Sequence, residues 1–175
     1  MPKLLPQLRM RHPLIALPAR RELPEGYRLR VATREDAEGI ANVLESAFNE
    51  PWNSERVFAD LLDDPGVPLT FVIERDGVIV ATASYQEKEE PDPSAGWLHW
   101  VGVHPDSRGL RLGEIVSHEV ISEATSRRRS CVLLTTDDFR VPAIRTYLRL
   151  GFEPDNCHEN HEGRWIAILQ ALPSP

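Results

Sequence analysis

A polar turn with two arginines and two glycines separates an apolar stretch from a helix-like stretch, at residues 104–113 (HPDSRGLRLG). The first four N–H groups of a helix have no partner within it, and the helix dipole favours an anion there. Gly109 and Gly113 let the backbone bend and approach a ligand closely. Arg108 and Arg111 supply positive charge and donors that match phosphate geometry. The pattern fits a phosphate or pyrophosphate site, or a plain strand-to-helix connection with arginines facing solvent.

Two common phosphate-binding patterns are absent from this sequence. It contains no G-x-x-x-x-G-K-[ST], and no G-x-G-x-x-G between a strand and a helix, so neither a Walker loop nor a Rossmann dinucleotide site is expected. The formal net charge of −7 argues against a general nucleic-acid binder, because neutralising a phosphate backbone requires clustered positive charge. A small anionic ligand remains compatible with this charge, since its site can be locally positive.

The composition is that of an ordinary globular domain, with 41% hydrophobic and 27% charged residues, and the length favours a single domain. No apolar run reaches the roughly 20 residues that a membrane span requires. Proline, arginine and histidine interrupt the N-terminal segment, which is therefore not a convincing signal peptide. Cys131 lies in an apolar run and Cys157 in a polar loop, so we expect reduced thiols. These features predict a cytoplasmic protein with no membrane or nucleic-acid partner.

The first 24 residues differ in character from the rest of the chain. Residues 1–24 are rich in proline and arginine, which predicts an extended arm with little regular structure. Such an arm is either a flexible tail or a segment that hugs the surface or exchanges between two subunits. Residues 25–172 are expected to form the folded domain.

Hydrophobic periodicity and turn residues predict six strands and four helices in the order β-α-α-β-β-β-α-β-α-β. Asp76-Gly77, between the second and third strands, is a strong hairpin signal. This order predicts a mixed sheet with helices packed against its faces, an α/β or α+β layered fold. The predicted strands cover 27–31, 69–74, 78–86, 96–103, 131–136 and 165–169, and the predicted helices cover 33–48, a short stretch from about 54, the stretch from the polar turn to about 126, and 142–150.

Two sequence blocks together resemble the GNAT superfamily of N-acetyltransferases. VHPDSRGLRLG resembles the acyl-CoA pyrophosphate loop of that superfamily, [Q/R]-x-x-G-x-[G/A], with Arg108 in the first position and Gly113 in the last. Downstream, PAIRTYLRLGF (142–152) resembles a second hallmark, in which Ala-Ile, a tyrosine and Gly-Phe follow at this spacing. Arg111 departs from the pattern because it stands where a glycine is usual, and Arg140 because it stands where an asparagine often precedes Ala-Ile.

The resemblance implies a mixed, mostly antiparallel central sheet flanked by helices on both faces. It also implies acetyl-CoA as co-substrate, with no metal. The backbone of Val101 and Val103 is then expected to pair with the pantetheine amides, much as an added strand would. Arg140 is expected to take over whatever the asparagine does for the pantetheine arm. The implied cofactor loop consists of Arg108, Gly109, Leu110, Arg111, Leu112 and Gly113.

The resemblance also suggests which residues would carry the chemistry. An alkyl amine has a pKa near ~10.4, so a base must remove its proton, and the departing thiolate of a thiol with pKa ~8.5 needs a proton in turn. Tyr147 matches the family tyrosine beside the thioester sulfur and is the predicted acid; a core tyrosine with a locally satisfied hydroxyl is the alternative. His99 matches a family base position, and a half-buried, hydrogen-bonded histidine is its alternative.

Strand alternation makes a specific prediction for residues 96–103. It places Trp97, His99, Val101 and Val103 on one face of the sheet, and it places Leu98, Trp100 and Gly102 on the other.

The acceptor site is expected in the loop FNEPWN, which borders the acceptor in the superfamily. There, Trp52 would stack on or wall in the acceptor and Glu50 would offer a negative partner for its amine. A proline-broken connection whose tryptophan packs inward explains the same residues. The acidic run 87–93 either steers cationic acceptors or is a solvated hairpin end.

The sequence therefore predicts an N-acetyltransferase that transfers an acetyl group from acetyl-CoA to an amine of a small molecule or peptide by direct attack in a ternary complex. A non-catalytic acyl-CoA sensor with the same fold is the main alternative. An interaction protein that uses residues 1–24 is a third. A homodimer is possible, since superfamily members often pair.

Overall fold

A computed structural model describes residues 5–172 of the chain. Its core is one seven-stranded sheet with the strand order β2-β3-β4-β5-β6-β1-β7. Neighbouring strands are antiparallel except β5 and β6, which are parallel. This confirms the predicted mixed, mostly antiparallel sheet. The strands are β1 Leu8–His12, β2 Tyr27–Val31, β3 Leu69–Arg75, β4 Val78–Glu87, β5 Gly96–Val103, β6 Val132–Thr136 and β7 Glu153–Asp155.

Helices cover both faces of the sheet, as predicted. One buried cluster joins α1 and α2 to residues such as Val72, while a larger cluster joins α3 and α4 to residues such as Phe71 and Ile73. Because Phe71, Val72 and Ile73 alternate along one strand, the two clusters lie on opposite faces. No helix among residues 5–172 is long and apolar enough to cross a membrane. The helices are α1 Ala37–Phe48, α2 Ser54–Val57, α3 Leu112–Ser126, α4 Val141–Arg149 and α5 His161–Ala171.

Local sequence signals account for several of these bounds. Asp76 and Gly77 both have positive φ, 51° and 77°, which is the backbone that a two-residue hairpin of this type requires. The backbone N–H of Thr33 donates to the carboxylate of Asp36 at 2.7 Å and fixes the chain ahead of α1. The Asn53 side chain accepts from the N–H of Arg56 at 2.9 Å, as expected for an N-cap.

The N-terminal segment is part of the sheet. β1 lies between β6 and β7 and pairs with both. Leu8, Met10 and His12 are buried and alternate with more exposed residues. The prediction of little regular structure in residues 1–24 is therefore wrong for 8–12; the part of that prediction that concerns residues 1–4 lies outside the described residues.

The predicted strand at 165–169 is also wrong, because these residues belong to helix α5. His161 and Trp165 are its buried residues, four positions apart, which is a helical spacing. The apolar run WIAIL is short, and both a strand and a helix are compatible with it in isolation.

A β-bulge in β5 overturns the predicted alternation. Ser84 of β4 pairs with His99, and Thr82 pairs with Gly102. Between these two pairs β5 advances by three residues while β4 advances by two, so β5 contains one extra residue. Trp100 takes the extra position with a φ of 47°. As a result Trp100 packs on the α1 and α2 face, next to His99, while Val101 packs with the α3 cluster.

Strands β5 and β6 pair over a short distance only. Their register consists of Gly96 with Val132 and Trp97 with Leu133. Beyond these pairs the two described strands diverge, and a cleft opens between the second half of β5 and the C-terminal end of β6. The polar turn before α3 and the first turn of α4 border this cleft.

Candidate active site

The polar turn before α3 contains a row of backbone amides that have no hydrogen-bond partner among the described residues. Within residues 5–172, the N–H groups of the five residues 109–113 donate no hydrogen bond. Gly109 has a φ of 82° and Arg111, the residue before α3, has a φ of 58° and a ψ of 25°. These left-handed residues fold the turn back onto the start of α3, where the helix dipole adds partial positive charge. The turn therefore has the geometry of an anion cradle.

Arg111 is held in a conformation that glycine adopts more easily, which fits a family preference for glycine there. Its guanidinium reaches the carboxylate of Glu114 at 3.8 Å. Glu114 also accepts hydrogen bonds from Arg149 at 3.1 Å and from Arg21. Burial disfavours the ionised carboxylate, but these arginines outweigh burial and lower the pKa of Glu114. Three arginines around one carboxylate leave this end of the turn positively charged.

The cradle opens into a cavity of about 410 Å³, which we call the loop cavity. Its volume is within the usual range for small-molecule sites, about 300–1,000 Å³. Of the predicted cofactor residues, only Leu110 does not line it; Leu110 is exposed at the tip of the turn and contributes its N–H to the cradle. The predicted residues in its wall are Val101, Val103, Arg108, Gly109, Arg111, Leu112, Gly113 and Arg140.

A second cavity of about 300 Å³, the aromatic cavity, lies beside the loop cavity in the cleft. Its rings belong to Phe48, Trp97, His99, Trp100 and Tyr147. Its carboxylates belong to Glu50 and Asp137, and Arg140 is its cation.

The two cavities share part of their walls. Five residues line both: Phe48, Val101, Arg140, Ala143 and Tyr147. Within this set, only Tyr147 and Arg140 carry polar side chains. The two cavities therefore adjoin at these residues.

Tyr147 is 8% exposed and packs edge-on against Phe152, with ring centroids 5.9 Å apart. In the described part of the chain its hydroxyl has no hydrogen-bond partner. Burial raises the pKa of Tyr147 to about 12, and the charge of Arg140 offsets this only in part. The phenol is therefore neutral throughout the physiological range. The alternative of a core tyrosine with a locally satisfied hydroxyl does not fit this geometry.

His99 lines the aromatic cavity on the α1 and α2 face of β5. Burial lowers its pKa to about 4, and the nearby charge of Lys88 acts in the same direction. The imidazole is thus neutral at pH 7 and can accept a hydrogen bond or a proton. The bulge at Trp100 turns His99 away from the face of Val101 and Val103, with which it was predicted to lie.

The sequence model of the Acetyltransferase (GNAT) family matches residues 37–152 of the chain. This chain belongs to the GNAT family. The match begins at the start of α1 and ends just after α4, so it contains the anion cradle and Tyr147. Strand β1 and helix α5 lie outside it.

The chain is also similar to known acetyltransferases in sequence and to solved structures in fold. A mycothiol acetyltransferase of Thermobispora bispora is 32% identical over 158 residues, which cover 82% of this chain and 52% of the relative. A GCN5-related N-acetyltransferase of Sphaerobacter thermophilus superposes with a TM-score of 0.69 at 26% identity, covering 86% of this chain and 50% of that one. The yncA structure of Salmonella typhimurium, solved with its cofactor acetyl-CoA, superposes with a TM-score of 0.64 at 20% identity, covering 74% and 80%. The chain spans about half the length of the mycothiol acetyltransferase it matches.

Within this GNAT site the two predicted acceptor residues have different positions. Glu50 lines the aromatic cavity. Trp52 does not: it is 6% exposed and packs in the α1 cluster, edge-on to Trp100 with centroids 4.7 Å apart. The indole N–H of Trp52 donates to Glu50 at 3.3 Å, and Arg56 covers its ring at 3.8 Å. This corrects the prediction for Trp52, which supports the wall that Trp100 forms.

Several site residues were missed by the sequence analysis. Trp100 faces the site only because of the bulge, which depends on the register with β4. Gln7 reaches Asp137 at 3.2 Å across 130 residues of sequence, and such pairing leaves no local signal. Phe48 was recognised only as the end of α1. The sequence signal for Asp137 was its position directly after the buried strand β6.

Proposed function

We propose that this protein is an acetyl-CoA-dependent N-acetyltransferase that acetylates an amine of a small molecule or peptide. The observation that supports it most is the row of five unpaired amides at residues 109–113, opening into a cavity that meets a second cavity at Tyr147. Membership of the GNAT family supports the same chemistry. The two joined cavities also allow donor and acceptor to be bound together, as direct transfer requires.

The loop cavity fits the donor in three respects. Unpaired N–H groups and the α3 N-terminus suit the diphosphate of coenzyme A, and Arg108 and Arg111 add charged donors. The edge of β5 at Val101 and Val103 no longer pairs with β6, so its backbone is free for the amides of the pantetheine arm. The thioester would then lie beside Tyr147 and Arg140, where the cavities meet.

The proposed reaction is a direct displacement at the acetyl carbonyl. The amine nitrogen of the acceptor attacks the carbonyl carbon, a C–N bond forms, and the C–S bond breaks with its electron pair staying on sulfur. Holding the two reactants side by side removes much of the entropic barrier.

His99 is the proposed base for the amine proton. It is neutral at pH 7, but a base with a pKa of about 4 does not take a proton from a free alkylammonium near pKa ~10.4. It can take the N–H proton of the tetrahedral adduct as the C–S bond breaks, because the nitrogen is then becoming an amide nitrogen and its proton is far more acidic. The acceptor must therefore lose its first proton to water before attack. A water molecule beside His99 fits the same role.

Tyr147 is the proposed partner of the sulfur. A phenol with a pKa of about 12 keeps its proton against a thiolate whose conjugate acid has an ordinary pKa of ~8.5. We therefore assign Tyr147 the role of hydrogen-bond donor to the departing sulfur, which replaces the full proton transfer expected of it from the sequence.

The acceptor would enter the aromatic cavity with its amine near Glu50. Glu50 has one close neighbour in Trp52 and a long contact to Arg56, 3.7 Å, so its charge is only partly compensated. Trp100 and Phe48 would hold the apolar part of the acceptor. A mycothiol precursor is one candidate, since mycothiol acetyltransferases are among the relatives.

The experiment combines calorimetry of acetyl-CoA binding with thiol release from a pool of amines that includes diamines, aminosugars, amino acids and short peptides. An N-acetyltransferase binds acetyl-CoA and releases thiol with at least one amine, and mass spectrometry then identifies the acetylated product. Binding without release from any amine would favour the acyl-CoA sensor. No binding would contradict both.

A further inference from the structure

Group transfer must take place where the loop cavity and the aromatic cavity meet, and one charged residue lies there. Of the five residues that line both cavities, Phe48, Val101 and Ala143 are apolar, Tyr147 is a neutral phenol, and Arg140 is a permanent cation. The charged residue is also one of the two departures from the family pattern.

Contacts with Asp137 and Phe48 fix the position of the Arg140 side chain. Its Nε donates to Asp137 at 3.0 Å, and its guanidinium lies 4.4 Å over the ring of Phe48. Asp137 is held in turn by the amide of Gln7 at 3.2 Å. Within residues 5–172 the two terminal nitrogens of Arg140 donate no hydrogen bond, which leaves four N–H donors available to a ligand.

Breaking the C–S bond leaves a negative charge that no other group at this point can neutralise. Tyr147 can donate a hydrogen bond, but burial raises its pKa to about 12, so giving its proton to a thiolate of ordinary basicity is unfavourable by more than roughly a thousandfold. His99 is neutral at pH 7. A preorganised cation aimed at the developing charge is the kind of group that accelerates such a step.

We propose that Arg140 is a further catalytic residue, whose guanidinium stabilises the negative charge on the departing sulfur where the two cavities meet. This rests on the proposed function. The balance of the step is complete without a proton from Arg140: the electron pair of the C–S bond stays on sulfur, the amine proton goes to His99 or water, and the guanidinium keeps its protons throughout. Asp137 and Phe48 act as positioning residues for it.

The test measures the thiol pKa of bound coenzyme A, which does not depend on knowing the acceptor. Free coenzyme A is bound at saturation, and the ultraviolet absorbance of its thiolate is followed against pH. The thiol of the Arg140→Gln complex should titrate about one pH unit or more above that of the wild-type complex, a tenfold or larger change in acidity. Arg140→Lys should restore most of the difference.

Arg145→Gln is the matched control, because Arg145 lies on the same helix but is exposed and lines neither cavity. Its bound thiol should titrate as in wild type. Once an acceptor is found, Arg140→Gln should also lower kcat roughly 100- to 1,000-fold, the scale of losing one preorganised donor, while the Kd for acetyl-CoA changes less than threefold.

Equal thiol pKa values in wild type and Arg140→Gln would overturn this inference, as would a loss confined to Kd. Neither result would contradict the proposed function. The proposed function is contradicted if the wild-type protein does not bind acetyl-CoA or does not transfer its acetyl group. Should Arg140→Gln not fold, the double variant Asp137→Asn/Arg140→Gln removes the ion pair as a unit and leaves no unpaired carboxylate. The same titration then decides the question.

Discussion

At the scale of single residues, the site depends on two buried side chains and one cation. Burial keeps Tyr147 and His99 neutral at pH 7, and Arg140, which pairs with Asp137, supplies the positive charge. A neutral phenol, a neutral imidazole and a cation around one cleft suit a reaction that begins with a neutral amine and ends with a charged sulfur.

Tyr147→Phe removes the hydroxyl and keeps the ring. We expect kcat to fall roughly tenfold, the scale of one hydrogen bond formed mainly as the C–S bond breaks, with the Kd for acetyl-CoA unchanged. Steady-state kinetics and calorimetry measure the two quantities separately. Tyr27→Phe, at a distant and half-buried tyrosine, is the control, and an equal loss in kcat and binding would contradict the assignment.

His99 predicts a dependence of folding stability on pH. Its pKa is lowered in the folded state to about 4 from an ordinary value of 6.5, so stability is fully present above pH 6.5 and is lost as pH falls towards 4. Between pH 7.5 and pH 5 this amounts to at most about 2 kcal/mol.

Urea unfolding of wild type and His99→Gln at these two pH values measures the effect. The variant should lose less stability than wild type on acidification, because glutamine does not titrate. The same loss in both proteins would show that His99 does not carry this linkage.

At the scale of elements, the N-terminal strand is the feature most at odds with expectation. β1 fills the sheet between β6 and β7 and brings Gln7 to the rim of the aromatic cavity. Further along, the carbonyl of Pro18 lies 2.9 Å from the imidazole of His118, and Arg21 pairs with Glu114. The segment thus contacts both ends of the site.

Met10→Ala tests whether β1 is integral to the fold. Met10 is fully buried at 0% exposure, and truncating such a side chain costs about 2–5 kcal/mol of unfolding free energy. Chemical denaturation measures this. Leu5→Ala, at an exposed position just before β1, is the control, and a cost below about 0.5 kcal/mol for Met10→Ala would show that the strand is dispensable.

The elements that could be predicted are those with strong local signals. The hairpin around Asp76-Gly77, the strand at 96–103 and the helices α1 and α3 follow from periodicity and turn residues. Helix α1 begins at Ala37 and not at residue 33 as predicted, because a 3-10 turn at Arg34–Asp36 precedes it. β1 required pairing partners at least 120 residues away, and the bulge at Trp100 required the register with β4. Neither produces a recognisable pattern in the neighbouring residues. The cofactor loop could be predicted because its motif is local, whereas the position of Trp100 in the aromatic cavity could not.

At the scale of the whole molecule, the chain presents an acidic surface around a locally positive turn. The formal charge is −7, yet Arg108, Arg111, Arg149 and Arg21 gather around the start of α3. A polyanionic donor and a cationic acceptor would therefore be drawn to different parts of the same cleft. A homodimer remains a prediction, which sedimentation equilibrium would test.

The central claim is that the amides of residues 109–113 bind the diphosphate of coenzyme A. Titrating coenzyme A into the ¹⁵N-labelled chain and following backbone amide resonances tests it most directly. We predict saturable shifts that are largest at Gly109 and Gly113, with Gly26 and Gly77, in remote turns, unchanged. Saturable binding with the resonances of 109–113 unmoved, or no binding at millimolar coenzyme A, would contradict the account.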